Sequence, residues 1–185
     1  MIKFDRQYDL FKDNDVNISE INLTNDIFIN KRTIKDWQDK IISHQSSIFK
    51  YGYKDINQTS LFESSSQNLG ESFNPIHLTP LPLNFWRWPK GLHEGPAIYF
   101  VMDNIIDSDK NIILYIGETI SAEKRWKGEH DCKNYLSNYS ECLQKANMST
   151  ELNIRFWLDV PIKTKDRRKL EQQLIQAWLP PFNKE

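Results

Sequence analysis

Residues 96–117 read PAIYFVMDNIIDSDKNIILYIG, and they contain two short apolar runs, 97–102 and 112–117. Each run has the length of a strand and is rich in β-branched and aromatic residues, and polar turn residues separate the two. We therefore predict an antiparallel hairpin. Each of its strands carries one tyrosine beside a tight backbone, Tyr99 in the first and Tyr115 in the second.

The chain after the hairpin shows helical and strand patterns in turn. Ser121 is a suitable N-cap for a short helix that carries Arg125, and residues 134–146 predict a second helix. Residues 152–158 alternate apolar with polar side chains and predict a half-buried strand. A last helix is predicted over 165–178, where two prolines stop it. This order predicts an α+β fold with a small antiparallel three-stranded sheet flanked by helices.

Residues 1–90 have a different character and predict an N-terminal extension that precedes a domain of residues 91–185. Apolar residues at helical spacing predict a helix over about 33–50, with Thr33 as its N-cap. The stretch 52–84 is rich in Ser, Asn and Pro and predicts an irregular connector, because repeated prolines prevent regular helix. With 185 residues and 39% hydrophobic composition, the chain is long enough for one substantial core.

The bulk composition restricts the classes of function only loosely. The formal net charge is −1, so positive charge for binding nucleic acid has to be local. We see no signal-peptide pattern and no apolar stretch of the length that a membrane helix requires, and we expect no membrane association. Two cysteines are too few for a disulfide framework, which favours a reducing, cytoplasmic setting.

Glu171 is the residue that points most directly to chemistry. Leu174, Ile175 and Trp178 follow it at helical spacings, which puts the carboxylate on or beside the apolar face of its own helix. Burying an unpaired charge costs on the order of several kcal/mol, so a positive partner is expected. Two partners stay open at this point: an arginine such as Arg125, or a divalent metal ion.

The C-terminal half of the chain, about residues 96–184, resembles the GIY-YIG nuclease family. In that family a Gly-Ile-Tyr strand and a Tyr-Ile-Gly strand are followed by a helical Arg, a His or Tyr, a metal-binding Glu and a terminal Asn. Here Ala97 stands in place of the first glycine, and Glu129 lies at the family's usual spacing from the arginine. The matched positions, in order, are Ala97-Ile98-Tyr99, Tyr115-Ile116-Gly117, Arg125, His130, Glu171 and Asn183.

The resemblance implies a catalytic role for five side chains. Glu171 would bind one Mg²⁺ or Mn²⁺, Tyr99 would do base-like work with Tyr115 close by, and His130 would complete the set, unless Glu129 takes its place. Arg125 can offer a planar fork to a phosphate group. An ordinary tyrosine pKa of about 10 suits a base at neutral pH only if a nearby cation lowers it. From the residues alone, both tyrosines also fit as sheet aromatics.

Gly117 and Asn183 are assigned to the support of the site. Gly117 closes the second tripeptide, where the backbone has to be tight. Asn183 follows Pro180 and Pro181 near the end of the chain, and the resemblance implies that it hydrogen-bonds back to the catalytic region. We therefore expect changes at Asn183 to affect stability as much as rate.

The densest basic cluster in the chain immediately precedes Glu171. We predict that it follows a nucleic-acid backbone, where phosphate charge needs to be neutralised. The alternative is an ordinary solvated helix face. The cluster comprises Lys163, Lys165, Arg167, Arg168 and Lys169.

These observations predict a metal-dependent endonuclease that hydrolyses nucleic-acid phosphodiester bonds, with DNA favoured over RNA. One alternative is a catalytically inactive nucleic-acid-binding module of the same fold, and another is a protein-interaction domain in which Glu171 only forms an internal salt bridge. A homodimer stays open, since nucleases that cut both strands often dimerise. His130, Cys132 and Cys142 suggest zinc only weakly, because they lack a fourth ligand and C-x-x-C spacing.

Overall fold

A computed structural model describes residues 30–52, 73–87, 95–106, 108–121, 125–126 and 131–184. Within these ranges the fold is α+β, as predicted, and Pro75–His77 and Phe85–Arg87 form short 3₁₀ turns. The helices are α1 (Lys31–Tyr51), α2 (Asp131–Lys145) and α3 (Thr164–Trp178), and the strands are β1 (Leu81–Pro82), β2 (Ala97–Ile105), β3 (Lys110–Thr119) and β4 (Glu151–Trp157).

The strands form one antiparallel sheet in the order β1-β4-β2-β3. The hairpin is confirmed, since β2 pairs with β3 and Tyr99 lies opposite Gly117. The prediction of a three-stranded sheet is wrong, because Leu81 and Pro82 of the connector pair with β4 as a fourth strand. Pro82 is tolerated there because an edge strand leaves one side of its backbone unpaired and needs no N–H on that side.

The central strand β2 is buried on both of its faces, which explains why its sequence is continuously apolar instead of alternating. Tyr99 and Val101 face one core cluster, which also contains Trp126. Phe100 and Met102 face the other. The side chain of Tyr99 therefore points into the same core layer as Trp126, which follows β3 in the chain.

Strand β4 was predicted to be half-buried, but most of its residues are buried. Asn153 is 6% exposed and Arg155 is 8% exposed, although both are polar. The guanidinium of Arg155 donates to the carbonyl oxygens of Ile76 and Leu78 in the connector, and to Asn153 Oδ1 at 3.0 Å. These acceptors replace water, so polar residues are accommodated on a covered face.

Helix α1 begins earlier than predicted because its N-cap is Asn30, not Thr33. The Oδ1 atom of Asn30 accepts a hydrogen bond from the Thr33 N–H at 3.1 Å. The helix joins the same core as the hairpin, since the side chain of Gln45 accepts from the N–H of Ile113 at 2.8 Å and donates to its carbonyl at 3.0 Å. None of the described helices is long and apolar enough to span a membrane.

Candidate functional site

The hairpin brings its two tyrosine rings together. Tyr99 and Tyr115 stack with their ring centroids 5.9 Å apart and their planes inclined by 25°. Tyr99 is 1% exposed, whereas Tyr115 is half-buried. A β-bulge lies next to Tyr115, because Val101 pairs with Tyr115 and Met102 pairs with Ile113, which leaves one extra residue in β3. Bulges of this kind redirect neighbouring side chains and increase the local twist.

Gly117 lies directly beneath the Tyr99 ring. A Cβ atom at this position would overlap the hydroxyl oxygen and Cζ of Tyr99 and would lie 2.9 Å from Cε1 of Tyr115. The glycine is therefore required for space and not for a positive φ, since its backbone pairs normally with β2. The absence of a side chain at Gly117 therefore leaves room for the ring and hydroxyl of Tyr99.

Arg125 binds the hydroxyl end of this tyrosine pair. Its guanidinium donates a hydrogen bond to the Tyr99 hydroxyl, and the hydroxyls of Tyr99 and Tyr115 are hydrogen-bonded to each other. The Arg125 N–H donates to the carbonyl of Ser121 at 3.1 Å, as expected for a first helical turn. The next residue, Trp126, is 1% exposed and meets the Tyr99 ring edge-on at 5.9 Å, so it anchors the turn that presents Arg125.

Burial raises the pKa of both tyrosines above the usual value. For Tyr99 the neighbouring Tyr115 raises the pKa further, and Arg125 opposes the effect without cancelling it. For Tyr115 burial is again the largest cause, and Cys132 and Glu171 add to it. Both hydroxyls are therefore protonated at neutral pH, and they act there as hydrogen-bonding groups.

The sequence predicted a positively charged partner for Glu171, but the structure gives its carboxylate a backbone N–H as hydrogen-bond donor. Its Oε1 atom accepts a hydrogen bond from the N–H of Glu118, at the end of β3, at 2.9 Å. In the part of the chain that the structure describes, Glu171 forms no ion pair. Burial, followed by the charge of Glu118, raises the pKa of Glu171, while the Glu118 N–H, Arg168 and Arg125 lower it. The carboxylate is thus half-buried and only partly compensated.

Arg167 differs from the rest of the basic cluster. It is 0% exposed, and its Nε donates to Oε2 of Glu118 at 2.8 Å. A guanidinium in this position cannot reach a nucleic-acid backbone, so the prediction for Arg167 needs correction. The other four members, Lys163, Lys165, Arg168 and Lys169, are exposed around the start of α3.

Asn183 binds the free edge of β3 at Ile116, between Tyr115 and Glu118. Its Oδ1 accepts from the N–H of Ile116 at 2.9 Å, and its Nδ2 donates to the carbonyl of the same residue at 2.8 Å. The N–H of Phe182 donates to the carbonyl of Leu114 at 3.0 Å. The C-terminal segment thus covers backbone groups that an edge strand would otherwise expose.

The donor set around Glu171 suits a hard divalent cation better than zinc. The described ranges contain no group of three or more His, Cys, Asp and Glu side chains that could hold a metal ion. Cys132 and Cys142 lie ten residues apart on α2, roughly 15 Å along the helix axis, so they cannot share a zinc ion. A single carboxylate fits Mg²⁺, which keeps several waters and takes other ligands from substrate phosphate.

The two cysteines provide a test of the packing of α2. Burial raises the pKa of Cys132 to about 12, and its side chain is 0% exposed, whereas Cys142 is half-buried. Because the thiolate is the reactive form, we expect one thiol to react with a disulfide reagent in minutes at pH 7.5 and the other only on unfolding. Cys142→Ser should remove the fast phase and Cys132→Ser should retain it; a fast phase that survives Cys142→Ser would contradict this packing.

Tyr99 is hydrogen-bonded to Arg125 and Tyr115, and Glu171 is close enough to Tyr115 and Arg125 for their charges to interact. His130 and Glu129 lie outside the described residues. Sequence reasoning missed Glu118, which directly follows the Tyr-Ile-Gly strand and contacts both Glu171 and Arg167. A signal for Arg167 was present, because it precedes Glu171 by four residues and therefore shares its helix face.

Comparisons of the chain with protein-family models, curated proteins and solved structures found no match.

Proposed function

We propose that this protein is a metal-dependent endonuclease that hydrolyses phosphodiester bonds of nucleic acid, with DNA as the favoured substrate. The observation that carries the proposal is the convergence of Tyr99, Tyr115, Arg125 and Glu171, which come from two strands and two helical segments. The C-terminal half also resembles GIY-YIG nucleases at these same positions. Stacked tyrosines alone would be ordinary core packing, but a core does not require an arginine and a half-buried carboxylate beside them.

Each of these side chains has a role that its surroundings support. Glu171 would hold one Mg²⁺ or Mn²⁺, which supplies charge neutralisation at the phosphate and at the leaving oxygen. Arg125 is exposed and is oriented by Tyr99, so it can bind a second phosphate oxygen. Tyr115, which is half-buried and protonated at neutral pH, is suited to orienting the attacking water through a hydrogen bond, whereas the buried Tyr99 is hydrogen-bonded to Tyr115 and Arg125. Since neither tyrosine is ionised, a cation on Glu171 would supply the activation of that water.

The exposed basic residues at the start of α3 would contact the substrate backbone. Lys163, Lys165, Arg168 and Lys169 lie within eight residues of Glu171 along the chain. Each phosphate neutralised by the protein contributes about 0.9 to the slope of log K against log salt for duplex DNA. Arg167 is left out of this set because its guanidinium is buried.

Reversing three of these charges should flatten the salt dependence of DNA binding. We expect the triple variant Lys163→Glu, Lys165→Glu and Lys169→Glu to reduce the slope by roughly 2 to 3, because up to three phosphate contacts are lost. Fluorescence anisotropy with a labelled duplex at several salt concentrations measures this slope. A matched reversal of three exposed lysines on α1, Lys31→Glu, Lys35→Glu and Lys40→Glu, should leave the slope unchanged. An unchanged slope in the α3 variant would remove this surface from the binding site.

A second candidate function is a nucleic-acid-binding module that does not cleave. The specific observation in its favour is the raised pKa of Tyr99 and Tyr115, since a buried and protonated tyrosine is a poor base. In such a module Arg125 and the basic residues of α3 would still bind phosphate. Glu171 would then have no cation to hold.

A Mg²⁺ titration that follows binding and cleavage together distinguishes the candidates. The substrates are duplex, branched and single-stranded DNA and the corresponding RNAs, and the proteins are the parent and Glu171→Ala. Cleavage that Mg²⁺ stimulates and that Glu171→Ala loses supports the endonuclease. Binding that is insensitive to Mg²⁺ and that leads to no cleavage supports the second candidate. The absence of both binding and cleavage excludes both candidate functions.

A further inference from the structure

Arg167 forms a buried clamp one helical turn before Glu171. Its Nε and Nη2 atoms both lie 2.8 Å from Oε2 of Glu118, on strand β3. A fully buried guanidinium is costly unless its donors are satisfied. The remaining donors bond to the segment that leads into α3, at the carbonyl oxygens of Pro161 and Ile162 and at Oγ1 of Thr164.

Glu118 is held at two points by the same face of α3. Its carboxylate binds Arg167, and its backbone N–H donates to Oε1 of Glu171 at 2.9 Å. Arg167 and Glu171 are four residues apart and therefore project from one side of the helix. One residue of β3 is thus bound through its side chain by the first and through its main chain by the second.

The position of the Glu171 carboxylate depends on this arrangement. The hydrogen bond from the Glu118 N–H is the contact that fixes one carboxylate oxygen, and that N–H can reach it only if the end of β3 stays against the start of α3. Arg167 ties these two segments together because it bonds to Glu118 and to the carbonyls of Pro161 and Ile162 at once. Groups that orient a metal ligand typically affect metal affinity by 10- to 100-fold.

Glu118 itself is not free to act as a ligand. Its Oε2 is bound by Arg167, and its Oε1 lies 3.2 Å from Nε of Arg168. Two guanidinium groups thus neutralise this carboxylate, which leaves Glu171 as the carboxylate available to a cation. The same two groups limit the repulsion between Glu118 and Glu171.

We propose that Glu118 and Arg167 are a positioning pair that holds the Glu171 carboxylate ready for a divalent cation. This inference rests on the proposed function for the identity of what Glu171 binds. The positioning itself concerns side chains of this chain only. Both residues would act through Glu171, because Arg167 is buried and the Glu118 carboxylate is bound by two guanidinium groups.

The test compares the parent with Arg167→Lys, which keeps the charge but loses the planar fork, and with the milder Glu118→Gln. Thr150→Val is the control, because it removes a partly buried hydrogen bond to Asp103 away from the site. Two quantities are measured for each protein: the affinity for Mg²⁺ by calorimetry, and the hydrogen-exchange rate of the Glu118 amide by NMR. We expect both pair variants to weaken Mg²⁺ binding by about 10-fold or more and to speed exchange of this amide by a similar factor.

The outcomes separate positioning from plain stabilisation. Thr150→Val should lower the melting temperature while leaving Mg²⁺ affinity and Glu118 exchange as in the parent. If Arg167→Lys and Glu118→Gln behave in the same way as this control, the pair is only structural and the inference is overturned. If Arg167→Lys does not fold, Glu118→Gln alone decides.

A protein that binds no Mg²⁺ would overturn the proposed function and not the positioning. In that case the exchange rate of the Glu118 amide still decides. Slow exchange in the parent that becomes fast in Glu118→Gln would show that the pair holds the hydrogen bond to Glu171. Equal rates in the two proteins would overturn the positioning as well.

Discussion

Glu171→Gln is expected to abolish metal-dependent cleavage and, at the same time, to raise the melting temperature at neutral pH. Glutamine has nearly the same shape as glutamate and can still accept the hydrogen bond from the Glu118 N–H. It carries no charge, so it cannot hold Mg²⁺ as the carboxylate would. Loss of the several kcal/mol that a bound cation supplies corresponds to a rate decrease of about 10²-fold or more.

The expected rise in melting temperature follows from the direction in which folding shifts the pKa of Glu171. Burial raises this pKa in the folded state, so the folded protein binds the proton more tightly than the unfolded chain does. The associated stability is fully present below the unfolded pKa and is lost as the pH rises through the folded pKa. At pH 7 the parent therefore contains a destabilising ionised carboxylate, which glutamine removes.

Melting curves at pH 4 and pH 7.5, without and with Mg²⁺, measure this effect. We expect Glu171→Gln to melt at a higher temperature than the parent at pH 7.5 without Mg²⁺, and the gain to shrink at pH 4. Mg²⁺ should stabilise the parent alone. The control is Glu141→Gln on α2, an exposed glutamate paired with Lys145, which should change the melting temperature by less than about 1 °C. A lower melting temperature for Glu171→Gln at pH 7.5 without metal would instead assign Glu171 to an internal ion pair.

Gly117→Ala is expected to cause the largest loss of stability among single-methyl substitutions at the site. The added Cβ would overlap the hydroxyl oxygen and Cζ of Tyr99, and this ring cannot move freely because Trp126 packs against it. Overpacking of a core typically costs about 1–3 kcal/mol, which corresponds to roughly 2–12 °C for a chain of this size. Cleavage should fall as well, since Tyr99 and the Arg125 that it orients would both shift.

A double-mutant cycle with Tyr99→Leu tests the cause. Leucine lacks the part of the ring that the new methyl group meets, so Gly117→Ala should cost much less stability in the Tyr99→Leu background than in the parent. Gly95→Ala is the control, because Gly95 has a φ of 104° with open space around its Cβ position. Its cost comes from backbone strain and should be the same in both backgrounds. Additive effects of Gly117→Ala and Tyr99→Leu would contradict a clash between these two residues.

The elements that the sequence predicted correctly are those with strong local patterns. The hairpin, α2 and α3 each bury a continuous face, so the periods of their apolar residues are visible without knowledge of their neighbours. The start of α1 was placed wrongly because Asn30 and Thr33 are both good caps, and only the backbone geometry shows which side chain accepts. The strand β1 was missed because two residues with a proline show no pattern of their own.

The candidate site also contains residues that were chosen from the sequence and contacts that only the structure shows. Tyr99, Tyr115, Arg125 and Glu171 were selected by the order of the motif residues in the resemblance to GIY-YIG nucleases, and their catalytic roles stay a prediction. The surroundings of Arg167 were not predictable in this way, since lysine and arginine runs are usually solvated and burial depends on an acceptor from another element. That acceptor, Glu118, lies 49 residues away in sequence.

The amino-acid sequence by itself determined the α+β class and the hairpin, because local periodicity and residue type are sufficient for these. The choice of site residues came from the resemblance and stays a prediction. Only the tertiary structure decided which charges meet: it buries Arg167 against Glu118, gives Glu171 a backbone N–H, and places Gly117 beneath the ring of Tyr99. The physical reason is that desolvation, ion pairing and close packing depend on distances between segments that are remote in the chain, and no local pattern encodes those distances.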